Sequence, residues 1–262
     1  MKDYNRKVSG ARKHRRRVRI RRLILVLVIF MLVVGFFFGG LYYAVSKFLK
    51  VNNIVVCGSS MYTEQKIIET SALKDDGSDN MIFLSFKRIK DNLKSGLPYI
   101  KDVEIYRSYP DTIIIEVKPD QPFAQIGNED NKYLVDETMK ILSRVSEAEY
   151  DYLEVNAVLA DSQKIGQKLE FKEDKSREIF ENVIEQCEKN GLLDDMNTIK
   201  LSDLFDIYMI YDDRIQIALG DYTEINSKIQ FAANIIALRP ETDKGIADVR
   251  STQQAYFRLT RS

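Results

Sequence analysis

The feature that most constrains this chain is an uncharged stretch of 23 residues, Leu23 to Val45. As an α-helix it would be about 35 Å long, and the hydrocarbon core of a bilayer is about 30 Å thick. Sixteen of its residues are Leu, Ile, Val or Phe, and at about 0.3–0.6 kcal/mol each they favour insertion by on the order of 5–10 kcal/mol. Tyr42 and Tyr43 lie where an interfacial aromatic belt is expected. The stretch therefore predicts a single transmembrane helix.

The charge distribution predicts the orientation of this helix. Residues 1–22 contain eleven Lys or Arg and one Asp, whereas residues 46–262 contain 28 basic and 38 acidic residues, a formal net charge of −10. Basic residues beside a span stay on the cytoplasmic side. We therefore predict a basic cytoplasmic tail over residues 1–22, a transmembrane helix over residues 23–45 and an extracytoplasmic region after it.

Two other interpretations of the N-terminal region follow from its composition. A cleavable signal peptide has an apolar region of about 7 to 15 residues. The present stretch is longer, although Ala44-Val45-Ser46 loosely fits a small-x-small cleavage site. The basic run would also suit nucleic acid or anionic lipid, but membrane orientation explains it without a ligand.

The exported region carries two cysteines, Cys57 and Cys187, which are 130 residues apart. A secreted region stabilised by a disulfide framework would contain more cysteines than this. We therefore expect two buried free thiols instead of a bridge.

A region of about 215 residues is long enough for two small domains with cores of their own.

Residues 50–124 show the order strand, helix, helix, strand, strand. Thr63 suits the N-cap of a first helix that ends near Leu73. Apolar residues recur at helical spacing in a second helix, from Phe86 to Leu93, and Gly96 is expected to cap it. The strands are predicted over Val51–Cys57, Lys101–Arg107 and Ile113–Val117, where apolar and polar residues largely alternate.

This order resembles the POTRA domain of the FtsQ/DivIB family of bacterial cell-division proteins. Three motifs carry the resemblance: Val51-x-x-Ile54-x-Val56-x-Gly58, Leu97-Pro98-x-Ile100-x-x-Val103-x-Ile105 and Arg107-x-x-Pro110-x-Thr112. Pro122-x-Ala124 fits the exit from the domain. Pro119 and Asp120 depart from the family, which usually has Glu and Arg at these positions.

Residues 125–262 predict a second domain of mixed strands and helices. A hairpin is expected around Glu137-Thr138, with Asp136 as a turn residue and Met139 where the family tends to have Gly. The other strands are predicted over Leu153–Leu159, Thr198–Leu201, Phe205–Tyr211, Arg214–Leu219, Gly245–Arg250 and Gln254–Leu259, and the helices over Asp174–Asn190 and Thr223–Arg239. Gly191 should end the first of these helices, and Asp212-Asp213 should form a hairpin turn. Leu219-Gly220 with Lys228, and Asp248-x-Arg250, again resemble the FtsQ/DivIB family.

The predicted fold class is therefore α+β. A single N-terminal transmembrane helix is followed by a β-α-α-β-β POTRA domain over residues 50–124. A second, mixed α/β domain over residues 125–262 is expected to contain a mainly antiparallel sheet.

The sequence offers no motif for an enzyme, a cofactor or a metal. His14, the only histidine, lies in the basic tail, and the chain has no zinc spacing, phosphate-binding glycine loop or Ser-x-x-Lys motif. The acidic loop Lys74–Asn80 lacks the glycine and glutamate positions of an EF-hand. We expect no catalytic residue, no cofactor and no metal site.

The remaining class is a non-enzymatic scaffold. Late strands near a chain terminus often form a sheet edge, and such an edge accepts a strand from another protein. The resemblance implies the same mode and implies the partners: coiled-coil division proteins of the DivIC/FtsB and FtsL kinds, at the division septum, where they help to control septal peptidoglycan synthesis. The residues expected in or beside this docking edge are Asp248, Val249, Arg250, Tyr256, Phe257 and Arg258.

Two further hypotheses concern the span and the alternative functions. Gly35-x-x-x-Gly39 has the spacing that lets another transmembrane helix approach closely. A POTRA protein for export or assembly is the first alternative function, but it would carry a C-terminal barrel with many segments of about 10 alternating residues. A membrane-anchored envelope enzyme is the second alternative, and the absence of a catalytic motif argues against it.

Overall fold

The architecture is seen in a computed structural model that describes residues 2–58, 61–74, 78–128, 131–145 and 152–260, with side chains from residue 21 onward. The helices are α1 (Lys2–Phe48), α2 (Glu64–Ser71), α3 (Phe86–Gly96), α4 (Asp174–Lys189) and α5 (Ile225–Ala237). The first six strands are β1 (Asn53–Cys57), β2 (Ile100–Ser108), β3 (Thr112–Pro119), β4 (Ala124–Gly127), β5 (Lys132–Val135) and β6 (Ile141–Val145). The others are β7 (Leu153–Asn156), β8 (Met196–Lys200), β9 (Ile207–Tyr211), β10 (Ile215–Gly220), β11 (Gly245–Asp248) and β12 (Tyr256–Leu259). The predicted α+β class is confirmed.

Helix α1 contains the predicted apolar span. By length and composition, its segment Arg21–Phe48 is able to cross a membrane, and none of its most apolar stretch is buried within the described structure. Large side chains such as Leu23 and Phe36 are 69% and 87% exposed. An apolar surface of this size needs an apolar surrounding, so the helix is consistent with a membrane anchor.

The first sheet contains three strands in the order β1-β3-β2, and the predicted order of its elements is confirmed. Thr63 caps α2 as expected, because its hydroxyl accepts a hydrogen bond from the Lys66 N–H at 3.3 Å. The expectation for Gly96 was wrong: it is the last residue of α3 and does not adopt a left-handed conformation. A Cβ at Gly96 would lie 2.6 Å from Thr70 Cγ2. The glycine therefore allows the close approach of α2.

The chain divides into two compact units. The first comprises residues up to Val56 with Leu73–Phe86 and Ile105–Ile115, and the second comprises the remainder. The division does not follow the predicted boundary between residues 124 and 125, which stays a prediction.

The second sheet contains nine strands in the order β12-β11-β10-β9-β8-β7-β4-β5-β6. Five of its eight pairings are antiparallel, and the parallel ones are β4–β7, β7–β8 and β10–β11. Parallel neighbours need a crossover connection, and α4 and α5 supply it for β7–β8 and for β10–β11. The predicted mainly antiparallel sheet is confirmed.

Each of the two crossover helices buries one apolar stripe. In α4 the buried stripe includes Ile179, Val183 and Cys187, and in α5 it includes Ile225, Ile229, Ala232 and Ile236. These side chains share one core with the inward-facing residues of strands β4 to β11. The burial of both stripes explains why helices of modest length are stable here.

The predicted turns are also confirmed. Asp212 and Asp213 both have left-handed φ values, +51° and +47°, as a two-residue hairpin of type I′ requires. The Arg214 N–H closes this turn by donating to the Tyr211 carbonyl at 3.1 Å. Gly191, at φ +68°, ends α4. Strand β7 stops at Asn156 and is shorter than the predicted run to Leu159.

The two thiols differ in exposure. Cys187 is fully buried, and burial raises its pKa to about 12. Cys57 is exposed, so the expectation of a buried thiol there was wrong. Alternate residues of a strand face opposite sides, and Cys57 lies on the same exposed side of β1 as Asn53 and Val55. Both cysteines are free.

Candidate protein-docking edge

Strand β12 is a terminal strand of the nine-stranded sheet, and within the part of the chain that the structure describes it pairs with β11 alone. The register aligns Leu259 with Gly245, and the Thr260 N–H donates to the Lys244 carbonyl at 3.0 Å. In an antiparallel ladder, hydrogen-bonded pairs alternate with non-bonded pairs. The N–H and C=O groups of Phe257 and Leu259 therefore point away from β11, towards the open side of the sheet.

Three of the four side chains of β12 are exposed, and Phe257 is the one that turns towards the core. Tyr256 and Leu259 are 58% and 59% exposed, and Arg258 is exposed as well. Phe257 is half-buried and packs on the core. The Arg239 guanidinium lies over the Phe257 ring, with its central carbon 4.6 Å from the ring centroid. The edge therefore combines an open backbone with one aromatic, one cationic and one aliphatic side chain.

Close packing fixes β12 against β11. A Cβ at Gly245 would lie 2.3 Å from the Arg258 carbonyl oxygen and 2.8 Å from Phe257 Cζ. Since real Cβ atoms do not approach backbone oxygens this closely, only glycine fits at this position. The glycine thus allows Phe257 to cross over β11.

Asp248 and Arg250 form a two-point ion pair beside the edge. The Arg250 Nε donates to Asp248 Oδ1 at 2.9 Å, and Nη2 donates to Oδ2. This hydrogen bonding lowers the pKa of Asp248 and raises the pKa of Arg250. Gly220, at φ +70°, lies beneath the Arg250 stem, and a Cβ there would be 2.9 Å from Arg250 Cγ. The arginine is thereby held flat over the end of β10.

Val249, between the two charged residues, faces the core. Its side chain is fully buried, and its N–H donates to the Ala218 carbonyl at 3.1 Å. The sequence-predicted set is thus divided: Asp248, Arg250, Tyr256 and Arg258 reach the surface, whereas Val249 supports the edge from inside. Phe257 is half-buried and contributes both to the exposed edge and to the core beneath it.

The sequence indicated Lys228 only through the family resemblance, and its structural role was missed. Lys228 is 2% exposed, and its ammonium group donates to the Asp221 carbonyl at 2.9 Å and to Asp221 Oδ1 at 2.6 Å. Thr223 donates to the same carboxylate through its hydroxyl and its N–H. These contacts, that of Lys228 above all, lower the pKa of Asp221 to about 2. They fix the loop that follows Gly220, beside Arg250.

An aromatic pair near this loop was also missed. Phe205, 73% exposed, lies with its ring centroid 6.0 Å from that of Tyr222. Asp206, next to Phe205, contributes to the electrostatic field that raises the pKa of Arg250. No periodicity indicates this pair, because both residues lie in loops that only the tertiary fold brings together.

Two other expectations concern the span and metal binding. Side chains added at Gly35 and Gly39 would meet nothing within 4 Å, so this face of α1 is open in the described structure. Among the residues described, no group of three or more His, Cys, Asp or Glu side chains is arranged to hold a metal ion.

Comparison with known proteins shows what the chain is similar to. Residues 49–118 match the model of the POTRA domain, FtsQ-type. The cell division protein DivIB of Clostridium acetobutylicum is 27% identical over 208 residues, which cover 77% of this chain and 80% of that protein. The chain is therefore similar to DivIB cell-division proteins over most of its length, and its residues 49–118 match an FtsQ-type POTRA domain.

Other cell-division proteins are similar to the chain as well. DivIB of Clostridium tetani is 21% identical over 81% of this chain and 77% of its own length. FtsQ of Novosphingobium aromaticivorans is 32% identical over 34% of this chain and 27% of its own length. The extracytoplasmic domain of DivIB from Geobacillus stearothermophilus aligns with 47% of this chain and 90% of that domain, at 11% identity and a TM-score of 0.25. That score is too low to support a comparison of folds.

Proposed function

We propose that this chain is a non-enzymatic bitopic scaffold of the bacterial division machinery. Residues 1–22 would lie in the cytoplasm and residues 23–45 in the cell membrane. The predicted domains 50–124 and 125–262 would lie on the extracytoplasmic side, at the division septum. The apolar helix, the opposite charges of its flanks and the relationship to DivIB and FtsQ support this proposal.

The observation that carries the proposal is the open edge at β12. The backbone groups of Phe257 and Leu259 can pair with a strand from another protein, and such main-chain bonds supply affinity. The exposed side chains of Tyr256 and Arg258, with the Asp248–Arg250 pair alongside, supply selectivity. A partner strand that carries an acidic residue opposite Arg258 would complement this edge.

The partners that fit this proposal are the ones that the family resemblance implies. They are membrane proteins of the DivIC/FtsB and FtsL kinds, which bring the scaffold to the septal peptidoglycan synthase complex. Gly35 and Gly39 would let the span of such a partner pack closely against α1. By holding these proteins together, the chain would help to control septal peptidoglycan synthesis.

A proline scan of β12 tests the docking mode with the full chain in nanodiscs and a purified DivIC-like partner. Leu259→Pro removes an N–H that points outward, and edge strands tolerate proline at such positions. Leu259→Ser is the matched control, because it removes the same side chain and keeps the N–H. One lost main-chain hydrogen bond and its unpaired partner are worth about 1–3 kcal/mol. We therefore expect Leu259→Pro to bind about ten-fold more weakly than Leu259→Ser, or weaker still.

The stability of each variant is measured alongside its affinity. Arg258→Pro removes an N–H directed at β11, so it should lower the free energy of unfolding, whereas Leu259→Pro should change it little. Equal affinity of folded Leu259→Pro and Leu259→Ser for the partner would exclude docking along β12.

A further inference from the structure

The chain after α1 folds back onto the end of that helix. The Asn80 side-chain Nδ2 donates to the Val45 carbonyl at 3.0 Å, and the Met81 N–H donates to the Leu49 carbonyl at 2.9 Å. The Val51 N–H returns a bond to the Asp79 carbonyl at 3.0 Å. The turn around Asp79 and Asn80 is therefore hydrogen-bonded once to the last turn of α1, at Val45, and twice to the residues that directly follow the helix, at Leu49 and Val51.

The turn itself is rigid and has an apolar tip. Asn80 accepts hydrogen bonds from the N–H of Ile82 at its side-chain oxygen and from the N–H of Phe83 at its carbonyl, at 3.0 and 3.1 Å. Met81 is fully buried, and its carbonyl accepts from Arg107 Nε at 2.8 Å. In contrast, the side chains of Ile82 and Phe83 are 42% and 66% exposed. Two large apolar side chains thus project from an immobilised turn.

The attachment points fix the depth of this turn relative to a bilayer. A helix rises about 1.5 Å per residue. Leu49 directly follows α1 and its N–H donates to the Val45 carbonyl at 3.2 Å, so the two residues are separated by about 6 Å along the helix axis. Val45 is the last residue of the apolar stretch. Beyond the hydrocarbon core, the interfacial region of a bilayer is about 5–8 Å thick on each side. With α1 inserted up to Val45, the turn would therefore lie at the level of the lipid headgroups.

Neighbouring residues suit the same layer. Phe48 is 76% exposed, and Tyr42 and Tyr43 are 65% and 64% exposed. Lys47 and Lys50 are exposed as well. Aromatic side chains and lysines are the residues that anchor proteins at membrane interfaces. The half-buried Val45 lies on the face that Asn80 covers.

We propose that Ile82 and Phe83, together with Phe48, form a membrane-contacting tip that inserts into the interfacial layer at the C-terminal end of α1. The partner of this surface is the bilayer that α1 itself spans, because the turn is hydrogen-bonded to Val45 and Leu49 at the end of the apolar helix. The tip gives the chain a second contact with the bilayer, beside the helix. This second contact sets the angle between the segment around Asn80 and the membrane surface. The proposal rests on insertion of α1 and is independent of docking at β12.

A single tryptophan reports directly on this contact, because the chain contains no Trp. Phe83→Trp is placed in the full chain and reconstituted in phosphatidylcholine–phosphatidylglycerol nanodiscs, with and without lipids brominated near the headgroup. Phe205→Trp is the matched control, since Phe205 is 73% exposed and lies outside the proposed tip. We expect blue-shifted emission and at least two-fold quenching by brominated lipid for Phe83→Trp, and neither effect for the control.

Two further variants keep the proposal falsifiable. If Phe83→Trp disturbs folding, Ile82→Trp provides the same readout. Asn80→Ala removes the donor to the Val45 carbonyl, so adding it to Phe83→Trp should reduce the quenching. Unquenched, red emission equal to that of the control would overturn the proposal. Blue-shifted emission without quenching would also overturn it, because the tip would then be covered by protein and not by lipid.

Discussion

Lys228 is one of the largest fully buried side chains among the described residues, and its charge is compensated at a single residue, Asp221. Lys228→Met keeps most of the volume but leaves the Asp221 carbonyl without this donor. Loss of a buried hydrogen-bond partner costs about 1–3 kcal/mol. We expect the free energy of unfolding in urea at pH 7 to fall by about that amount. Lys164→Met, at an exposed lysine, is the control, and an equal effect of both variants would contradict the assigned role.

The same pair predicts a dependence on pH. The pKa of Asp221 is lowered to about 2, whereas an unfolded aspartate titrates near about 3.9. The ionised carboxylate therefore stabilises the fold above about pH 4, and this stabilisation is lost as the pH falls from about 4 to about 2. In Lys228→Met the pKa of Asp221 should return towards its ordinary value. A carboxyl NMR titration checks this, and an unchanged pKa would show that Lys228 is not the cause.

Local residue chemistry predicted part of the turn around Asp136. Asp136 was expected in a turn, and its Oδ1 accepts from the N–H groups of Thr138 and Lys140, both at 2.8 Å. Met139 was noted only as a departure from a family glycine. It has φ +68° and is also buried, so burial of its side chain offsets a strained backbone conformation. That balance depends on the core around it, which the local sequence does not show.

Asp120 is a second departure whose meaning depended on the structure. It is 5% exposed and accepts a hydrogen bond from Lys140 Nζ at 2.5 Å, and the same ammonium group donates to the Ile100 carbonyl at 3.2 Å. A buried carboxylate requires such a partner. The two residues are 20 positions apart, so no short-range pattern could have paired them.

At the scale of elements, the contact between α2 and α3 depends on Gly96. Alanine there places a methyl group 2.6 Å from Thr70 Cγ2, and overpacking of this kind typically costs about 1–3 kcal/mol. We expect Gly96→Ala to lower the free energy of unfolding by about that amount. Thr70→Ser removes Cγ2 but keeps the hydroxyl that donates to the Lys66 carbonyl at 2.7 Å. The double variant should recover at least half of the loss. Additive effects of the two substitutions in urea unfolding would contradict a direct contact.

Individual elements were predictable where one physical signal dominated. The stripe of α5, the Thr63 cap and the Asp212-Asp213 turn follow from period, capping chemistry and backbone preference. The position of β7 between β4 and β8 was not predictable. This position depends on pairing between strands that are separated by about 25 to 40 residues. The alternation of apolar and polar residues within a strand does not identify its neighbour, because the same alternation would suit any neighbouring strand.

At the scale of the whole molecule, the two thiols test the proposed topology. Cys57 is exposed on the side proposed to be extracytoplasmic, and Cys187 is buried with its pKa raised to about 12. A buried thiol that stays protonated reacts poorly with maleimides. A membrane-impermeant maleimide should therefore label intact protoplasts once per chain, at Cys57, and should not label the Cys57→Ser variant. Labelling that requires lysis would reverse the orientation.

Among the properties of the whole molecule, the charge asymmetry across the span can be counted directly from the sequence. Eleven basic residues precede the span, and the region after it carries a formal net charge of −10. These charges predict the orientation of the span, because Lys and Arg beside a span are retained on the cytoplasmic side. The order of nine strands, and hence the identity of the open edge, emerges only when the whole chain has folded.

The central claim is that the chain acts in division as a scaffold that docks through β12. The measurement that tests it most directly is cell length after depletion of the chain in its host, with re-expression of variants at equal membrane abundance. We predict long filaments without septa on depletion, normal length with the wild type and with Leu259→Ser, and persistent filaments with Leu259→Pro. Normal division on depletion would contradict the role in division, and full rescue by Leu259→Pro would contradict docking at this edge.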